Sequence, residues 1–429
     1  MKWKIMVLLS ILGGWTPSIF GQASAVPTEL SLEEAIRMAV ERNPELKAAR
    51  KNIDIARANL IEASKRLNPV LTIGGENYPL FESRRGSFFN GQELTARVDY
   101  EIETFGKRRL RTQVARQQID IERLRYQNIE RQLILRVRRA YFEVVVAQAN
   151  LELAEQILKD IDQVIQLDRV RFREGEISGG ELKRIEVERL RFLDDVFAAR
   201  LALRNAKSTL LALMGLDDLD IDFRAVEPLP LDERQPRQRM GIPPPLPLKE
   251  LERLALSQRP DMAAVLHTRR RADTELLRQR ALRTSNIIVG GGYRRDFGIN
   301  SVVFGVTIPL KIFNRNQGGI ARALAERERA EHQAEAIERL IRLEVRKAYN
   351  AVEINRQRVE YIRREYLQKS EQSRNITLAS YRFGEANLID LLDAERAYAA
   401  TRQVYNQALF DYRMSLYELG AAIGLPVTE

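Results

Sequence analysis

The chain has 429 residues, with 69 lysines and arginines against 59 aspartates and glutamates, and a formal net charge of +10. The absence of cysteine excludes a disulfide framework, a thiolate metal site and a cysteine nucleophile, and two histidines leave little material for histidine-centred catalysis. Charged residues at 30% with aromatic residues at 7% are typical of long helices rather than of a compact enzyme. We therefore expect no enzymatic activity and no cofactor.

The positive charge does not indicate a nucleic-acid partner. Arginines and glutamates alternate along whole segments such as 324–347, as on solvated helix faces with i,i+4 ion pairs. We therefore expect no nucleic acid among the partners of this chain.

The N-terminus has the pattern of a secretory signal peptide. Lys2 and Lys4 precede an apolar run over 5–12, and the small residues at 23–25 fit a cleavage site. We expect residues 1–25 to be removed on export. The rest of the sequence has no uninterrupted apolar stretch near the 20 or so residues that a spanning helix needs, so any membrane crossing must be made by strands.

An internal repeat organises the remaining sequence. LSLEEAIRMAVERNPELKAA (30–49) returns as LPLKELERLALSQRPDMAAV (246–265), and LTIGG (71–75) returns as IIVGG (287–291). Self-similarity of this kind indicates one structural unit that occurs twice. We divide the exported chain into a first repeat, a proline-rich segment and a second repeat, with the bounds 26–216, 217–247 and 248–429.

Each repeat is predicted to run helix, strand, strand, very long helix, turn, helix. Segment 31–65 is amphipathic, and Ser31 with Glu34 forms a predicted capping box. Segments 107–173 and 315–381 have helical periodicity without internal proline, and a helix of about 67 residues extends about 100 Å. Helices of this length must pack against each other as coiled coils or an extended bundle. The predicted fold is therefore mixed but mainly α.

The segment between the repeats contains seven of the fifteen prolines. Prolines at this density disfavour both helices and sheet ladders. Two interpretations of 217–247 remain open, a linker and an irregular belt packed around the helices.

Four segments have the pattern of strands, at about 70–78, 94–104, 286–294 and 302–310. In the second, apolar residues alternate strictly with polar ones, which predicts an apolar face and a charged face. A soluble sandwich would alternate in the same way, but strands of this length in an exported chain fit an outer membrane. The charged face would line a water-filled lumen with Arg97, Asp99, Glu101 and Glu103.

Four strands are too few for a transmembrane barrel, since the smallest have about eight. Open sheet edges are not tolerated in lipid. Several chains must therefore build one barrel together, and three copies would give about twelve strands and space for solutes.

The sequence resembles the TolC-like outer-membrane efflux channels in three features: the duplication, the opening LSLEEAIRMAVERNPEL (30–46) and the segment YRFGEANLIDLLDAER (381–396). IPLKIFNRNQGGIARA (308–323) resembles the branch that accompanies cobalt–zinc–cadmium efflux pumps. The resemblance implies a homotrimer with a twelve-stranded transmembrane β-barrel on a twelve-helix periplasmic tunnel, without catalytic activity. It also implies the outer membrane of a Gram-negative bacterium, a periplasmic adaptor and an inner-membrane pump of the resistance-nodulation-division type. The chain has no cysteine for the lipid anchor found in some relatives.

The two turns that follow the long helices are the first predicted site. Glycine supplies the positive φ of a tight helix end, and the resemblance implies that these tips contact the adaptor. The predicted contact residues are Arg173, Gly175, Glu176, Arg382, Gly384 and Glu385.

Asp390 and Asp393 are the second predicted site. Their spacing places both carboxylates on one helix face, and the resemblance implies that they ring the periplasmic entrance. Six carboxylates in a trimer would attract cations, so we predict a cation-sensitive gate that opens when the adaptor rotates the outer helices. Neither carboxylate is expected to chelate a metal.

Two functional alternatives remain open at this point. The same kind of channel could serve drugs, organic solutes or secreted polypeptides, because a lumen selects weakly. A periplasmic coiled-coil scaffold without a pore is the other, although a scaffold has no use for an apolar strand face.

Overall fold

The computed structural model describes residues 26–77, 92–229 and 246–425, so the predicted signal peptide at 1–25 lies outside the described residues. Within these ranges the fold is mainly helical. The helices are α1 Leu32–Arg42, α2 Pro44–Ser64, α3 Lys107–Glu174, α4 Gly179–Leu213, α5 Leu248–Gln258, α6 Pro260–Ala281, α7 Gln317–Tyr361, α8 Gln368–Arg382 and α9 Leu388–Ala422. The strands are β1 Glu29–Leu30, β2 Val70–Glu76, β3 Glu93–Ile102, β4 Arg224–Ala225, β5 Ile287–Asp296 and β6 Ile299–Thr307.

The helix predicted over 31–65 is two helices in the structure. Ser31 and Glu34 form the predicted capping box at the start of α1. Asn43 interrupts the helical backbone because the residue before a proline is driven out of the α region, and Pro44 follows it. The Asn43 side chain then caps α2 by accepting hydrogen bonds from the next two free backbone N–H groups.

The long helix predicted over 107–173 is confirmed, since α3 runs unbroken for 68 residues. The helix predicted over 315–381 is interrupted, because a π-helical segment at Ile362–Leu367 separates α7 from α8. This segment contains neither proline nor glycine, so no local breaker signals it. No helix in the described ranges is both long enough and apolar enough to cross a bilayer.

Strands β2, β3, β5 and β6 form one antiparallel sheet in that order. The strands keep the predicted places but shift at their ends. β6 ends at Thr307, three residues before the predicted end, and Pro309 lacks the N–H that a longer ladder would need. β2 and β6 are the two edges of this sheet.

The helices pack around α3, which contacts α4, α6, α2 and α9. One core cluster packs α1, α3, α4 and α9 against β1 and β4, around Tyr141 and Phe142. A second cluster joins α3, α4, α8 and α9 near the far ends of the long helices, around Ile161 and Leu391. The second cluster positions the two helical tips relative to each other.

The proline-rich segment packs in part against the helices. Its described residues, 217–229, include β4, which pairs in parallel with β1. Phe223, Ala225 and Leu229 are buried in the main core. The belt interpretation therefore applies to 217–229, while residues 230–245 lie outside the described ranges.

Candidate functional site: the helical tips and the charged sheet face

The two helical tips have the same hydrogen-bonded turn. At the first, the N–H groups of Gly175 and Glu176 donate to the carbonyls of Phe172 and Arg171, at 3.1 and 2.8 Å. The second tip repeats this pattern at Gly384 and Glu385. Both glycines have φ = +79°, and this left-handed conformation lets the chain reverse within a few residues. The predicted turn chemistry is confirmed at both tips.

Arg171 joins the first tip to the second. Its Nη2 donates to the backbone oxygens of Tyr381 and Arg382, at 3.1 and 2.8 Å. These carbonyls belong to the last turn of α8, where helical partners are missing and a cation is favoured. The guanidinium also lies 5.4 Å from the centre of the Tyr381 ring.

A buried hydrogen bond lies directly above the tips. The Tyr381 hydroxyl lies 2.8 and 2.7 Å from the two carboxylate oxygens of Asp168 and donates to this carboxylate. Asp168 is only 1% exposed. Burial raises the pKa of Asp168, and the hydrogen bond from Tyr381 opposes that rise. Because α3 carries the aspartate and α8 the tyrosine, this contact fixes the two helices to each other.

A buried ion-pair cluster lies about two helical turns further from the tips. Arg374 donates through Nε to both oxygens of Glu395, at 2.9 Å, and through Nη2 to Asp160. Burial raises the pKa of Glu395, and Arg374 opposes this shift. The cluster connects α8, α9 and α3, so the same helices are held together at two levels.

The predicted tip residues are all exposed. Arg173, Gly175 and Glu176 lie on the first tip, and Arg382, Gly384 and Glu385 on the second. Phe383, which stands between Arg382 and Gly384 on the second tip, is 83% exposed. The bonds from Arg171 bring the two sets side by side, whereas adaptor contact stays a prediction.

Asp390 and Asp393 lie on the exposed face of α9, opposite buried Leu391 and Leu392. The Asp390 backbone N–H is capped by the Asn387 side chain, at 2.9 Å. Arg396 lies 3.4 Å from Asp393, whose side chain is still 68% exposed. Both carboxylates therefore face away from their own subunit, and their role as a gate stays a prediction.

The polar face of the sheet carries three of the four predicted lumen residues. Arg97 and Asp99 form an ion pair on β3 with Nε and Oδ1 2.8 Å apart, and Glu101 accepts a hydrogen bond from Asn286 at 2.6 Å. A side chain at Gly290, on the adjacent strand, would place its Cβ 1.9 Å from Asp99 Oδ1. Glycine on β5 thus makes room for the charged pair.

Glu103 does not belong to that face, contrary to the predicted alternation. β3 ends at Ile102, and Glu103 binds Arg111 of α3, with a shortest N–O distance of 2.5 Å. The alternation continues in the sequence beyond the strand, whereas the backbone has already left the sheet and turns towards α3, which begins at Lys107. Glu103 therefore fastens the sheet to α3, and its place on the lumen wall stays a prediction.

Helical periodicity alone did not predict the buried polar pairs. Asp168 continues the apolar positions Ile157, Ile161, Val164 and Ile165, and Glu395 continues Leu388, Leu391 and Leu392. A carboxylate on an apolar helix stripe must have a buried partner. That pattern could have identified both residues, although their partners are on other helices.

Among the residues that the structure describes, no group of three or more His, Asp or Glu side chains is arranged to hold a metal ion. The arrangement consists of a charged sheet face, long helices and two interlocked tips.

Residues 35–216 and 251–425 match the model of the outer membrane efflux protein family, and the chain belongs to that family. The resemblance seen in the sequence is thereby confirmed.

Three similar proteins illustrate the relationship. The cobalt-zinc-cadmium resistance protein CzcC of Cupriavidus metallidurans is 25% identical, over 90% of this chain and 88% of that protein. The pyoverdine export outer membrane protein OpmQ of Pseudomonas putida is 26% identical, over 96% of this chain and 90% of that protein. The crystal structure of the Campylobacter jejuni CmeC outer membrane channel superposes with a TM-score of 0.75 at 18% identity, covering 92% and 85% of the two chains.

Proposed function

We propose that this protein is the passive exit duct of a tripartite efflux pump. It works as a homotrimer with a periplasmic adaptor and an inner-membrane transporter of the resistance-nodulation-division type. Its cargo is divalent metal cations, and the chain itself performs no catalysis.

The single observation that carries this proposal is the two-sided sheet. On one face, Ile73, Val302 and Phe304 are between 75% and 91% exposed, while Arg97 and Asp99 pair on the other face. Such an apolar surface would be unfavourable in water, and the edges β2 and β6 present unpaired backbone groups. Closure of three sheets into a twelve-stranded barrel satisfies both edges and places the apolar face in lipid.

The helical tips support a gate at the other end of the duct. Asp168–Tyr381 and the Arg374 cluster hold α8 against α3. The exposed carboxylates of Asp390 and Asp393 would meet those of the other subunits near the axis. Adaptor binding at the tips would then open the entrance by separating α8 and α9 from α3.

The metal cargo is supported by similarity to CzcC, whose name refers to cobalt, zinc and cadmium resistance. Similarity to OpmQ, whose name refers to pyoverdine export, favours a second candidate, an organic solute. Exposed carboxylates at the entrance favour cations over anionic solutes.

The channel is tested by the mass and conductance of the detergent-extracted protein. We expect a trimer by light scattering and discrete conductance steps in a planar bilayer, with block by divalent cations added on the helical side. A monodisperse, folded trimer without conductance, even after substitution of Tyr381 by phenylalanine, would support the scaffold and contradict the channel.

The cargo is tested in the native host. Deletion of the gene should increase sensitivity to cobalt, zinc or cadmium, and the intact gene should restore resistance. Increased sensitivity to organic compounds with unchanged metal tolerance would contradict a metal cargo and support the second candidate.

A further inference from the structure

Four segments connect the helices to the strands at one end of the sheet, and they share an unusual composition. Together they contain eleven lysines and arginines and no aspartate or glutamate. We call them the basic collar, defined as residues 64–69, 105–111, 278–286 and 308–316.

The four segments of the basic collar are in contact with each other. Lys107 Nζ donates to the backbone oxygen of Thr284 at 2.7 Å, and Lys311 Nζ donates to that of Leu282. Arg111 donates to the backbone oxygens of Ala63 and Lys65, both at 3.0 Å. These bonds join the ends of α2, β3, α6 and β6, so the collar is one continuous surface.

Most of these cations have no carboxylate partner. Lys107 is buried and donates hydrogen bonds to neighbouring oxygens. Arg111 pairs with Glu103, and Arg278 pairs with Glu275. The other eight are exposed, and none makes an ion pair within the described part of the chain: Lys65, Arg66, Arg108, Arg109, Arg280, Arg283, Lys311 and Arg315. Elsewhere on the helices, by contrast, arginines commonly pair with acidic residues one turn away, as Arg342 does with Glu338.

Two exposed aromatic residues lie within the basic collar. Phe105 and Phe313 are 71% and 91% exposed, and each belongs to a segment that leaves a strand. Aromatic side chains flank the apolar band of membrane barrels, and basic residues near a bilayer surface attract anionic lipid. The collar combines both at the level where the strands end.

We propose that the basic collar binds the headgroups of anionic phospholipids in the leaflet on the helical side of the membrane. The inference rests on the proposed function, because it requires the sheet to span a bilayer. The cations contact lipid phosphates, while Phe105 and Phe313 insert among the acyl chains. This surface would fix the height of the channel in the membrane.

The test measures lipid selectivity with the full-length protein in phosphatidylcholine vesicles. Spin-labelled phosphatidylglycerol and spin-labelled phosphatidylcholine are compared for the fraction held at the protein surface. We expect the wild-type protein to prefer phosphatidylglycerol by about threefold or more, and 1 M NaCl to remove this preference by screening.

The collar variant K65Q/R108Q/R109Q/R283Q removes four side chains that make no hydrogen bond or ion pair in the described structure. We expect this variant to hold nearly equal fractions of spin-labelled phosphatidylglycerol and spin-labelled phosphatidylcholine. The matched control R204Q/R269Q/R329Q/K347Q removes four exposed cations from the helices and should keep the wild-type preference. Both variants should conduct like the wild-type protein in neutral bilayers.

Equal selectivity of the collar variant and the control would overturn the proposal. A collar variant that loses the trimer but keeps its lipid preference would also overturn it, by assigning the cations to the subunit interface. If the collar variant does not fold, the wild-type protein alone gives the test: a preference for phosphatidylglycerol that 1 M NaCl does not reduce would also overturn the proposal. Absence of conductance from a folded trimer, in both the wild-type protein and the Tyr381→Phe variant, would instead contradict the proposed function, and conductance is measured independently of lipid selectivity.

Discussion

The Tyr381 hydroxyl binds the buried carboxylate of Asp168 across 213 positions of sequence, with oxygen–oxygen distances of 2.7 and 2.8 Å. Arg171, three residues after Asp168 on the same helix, binds the last carbonyls of α8. The first helical hairpin therefore holds the end of the second through two adjacent contacts. Separation of the two would leave the buried carboxylate of Asp168 without this donor, which favours continued contact between the two hairpins.

Substitution of Tyr381 by phenylalanine should loosen the entrance. The change removes only the hydroxyl, and leaving Asp168 without this donor costs about 1–3 kcal/mol. We expect higher conductance or a larger open fraction in planar bilayers. Tyr349→Phe is the matched control, since the hydroxyl of Tyr349 makes no hydrogen bond in the described structure. Equal conductance of the Tyr381 variant and wild type would show that this contact does not limit opening.

Neutralisation of Asp390 and Asp393 should weaken block by divalent cations. The double variant to asparagine removes six carboxylates from a trimer, and the blocking concentration should rise by about threefold or more. Glu328 and Glu331 have the same spacing and are exposed on α7, so their double variant to glutamine should leave block unchanged. Identical block by divalent cations in the two double variants would contradict the assignment of Asp390 and Asp393 to the entrance.

Asp261 should make stability depend on pH in the acidic range. Burial alone would raise the pKa of Asp261, but the paired guanidinium of Arg259, at 2.6 Å, holds this pKa below its usual value. A lowered carboxyl pKa stabilises the folded state above about pH 4, the unfolded value, and this contribution is lost as pH falls through the folded pKa.

Asp261→Asn should therefore cost about 3 kcal/mol at neutral pH, because Arg259 is buried and would lose a partner. Between about pH 5 and about pH 3, the range in which carboxyl groups ordinarily titrate, the thermal midpoint of the variant should also fall less than that of the wild-type protein. Asp120→Asn, at an exposed ion pair, should change the midpoint little at either pH. A parallel pH dependence of wild type and Asp261→Asn would disprove the assignment.

Adjacent glycines on β5 should differ in their tolerance of alanine. A Cβ at Gly292 would lie 2.2 Å from the backbone oxygen of Ala96, whereas at Gly291 its nearest neighbour is the Val303 oxygen at 3.6 Å. Gly292→Ala must displace backbone in β3, and we expect a loss of about 1–3 kcal/mol or a reduced yield of trimer. Gly291→Ala should assemble normally, and equal yields would contradict the close approach of the strands.

Local features were predictable to the extent that their causes are local. The capping box at Ser31, the unbroken α3 and the glycine turns at 175 and 384 follow from neighbouring residues. The interruption at Asn43 also has a local cause, because a residue that precedes a proline is disfavoured in the helical conformation. The π-helical segment has no such signal, and Glu103 left the predicted face because a strand can end while its alternating pattern continues.

The sequence by itself determined the repeated helix and strand order, the apolar and charged sheet faces, and the efflux-channel resemblance. These depend on periodicity and turn chemistry, which are properties of adjacent residues. Only the tertiary structure decided that Asp168 meets Tyr381, that Arg374 joins Asp160 to Glu395, and that four basic segments form one collar. Each of these contacts joins separate helices or strands, and its partners are selected by packing geometry, which a single segment's pattern does not contain.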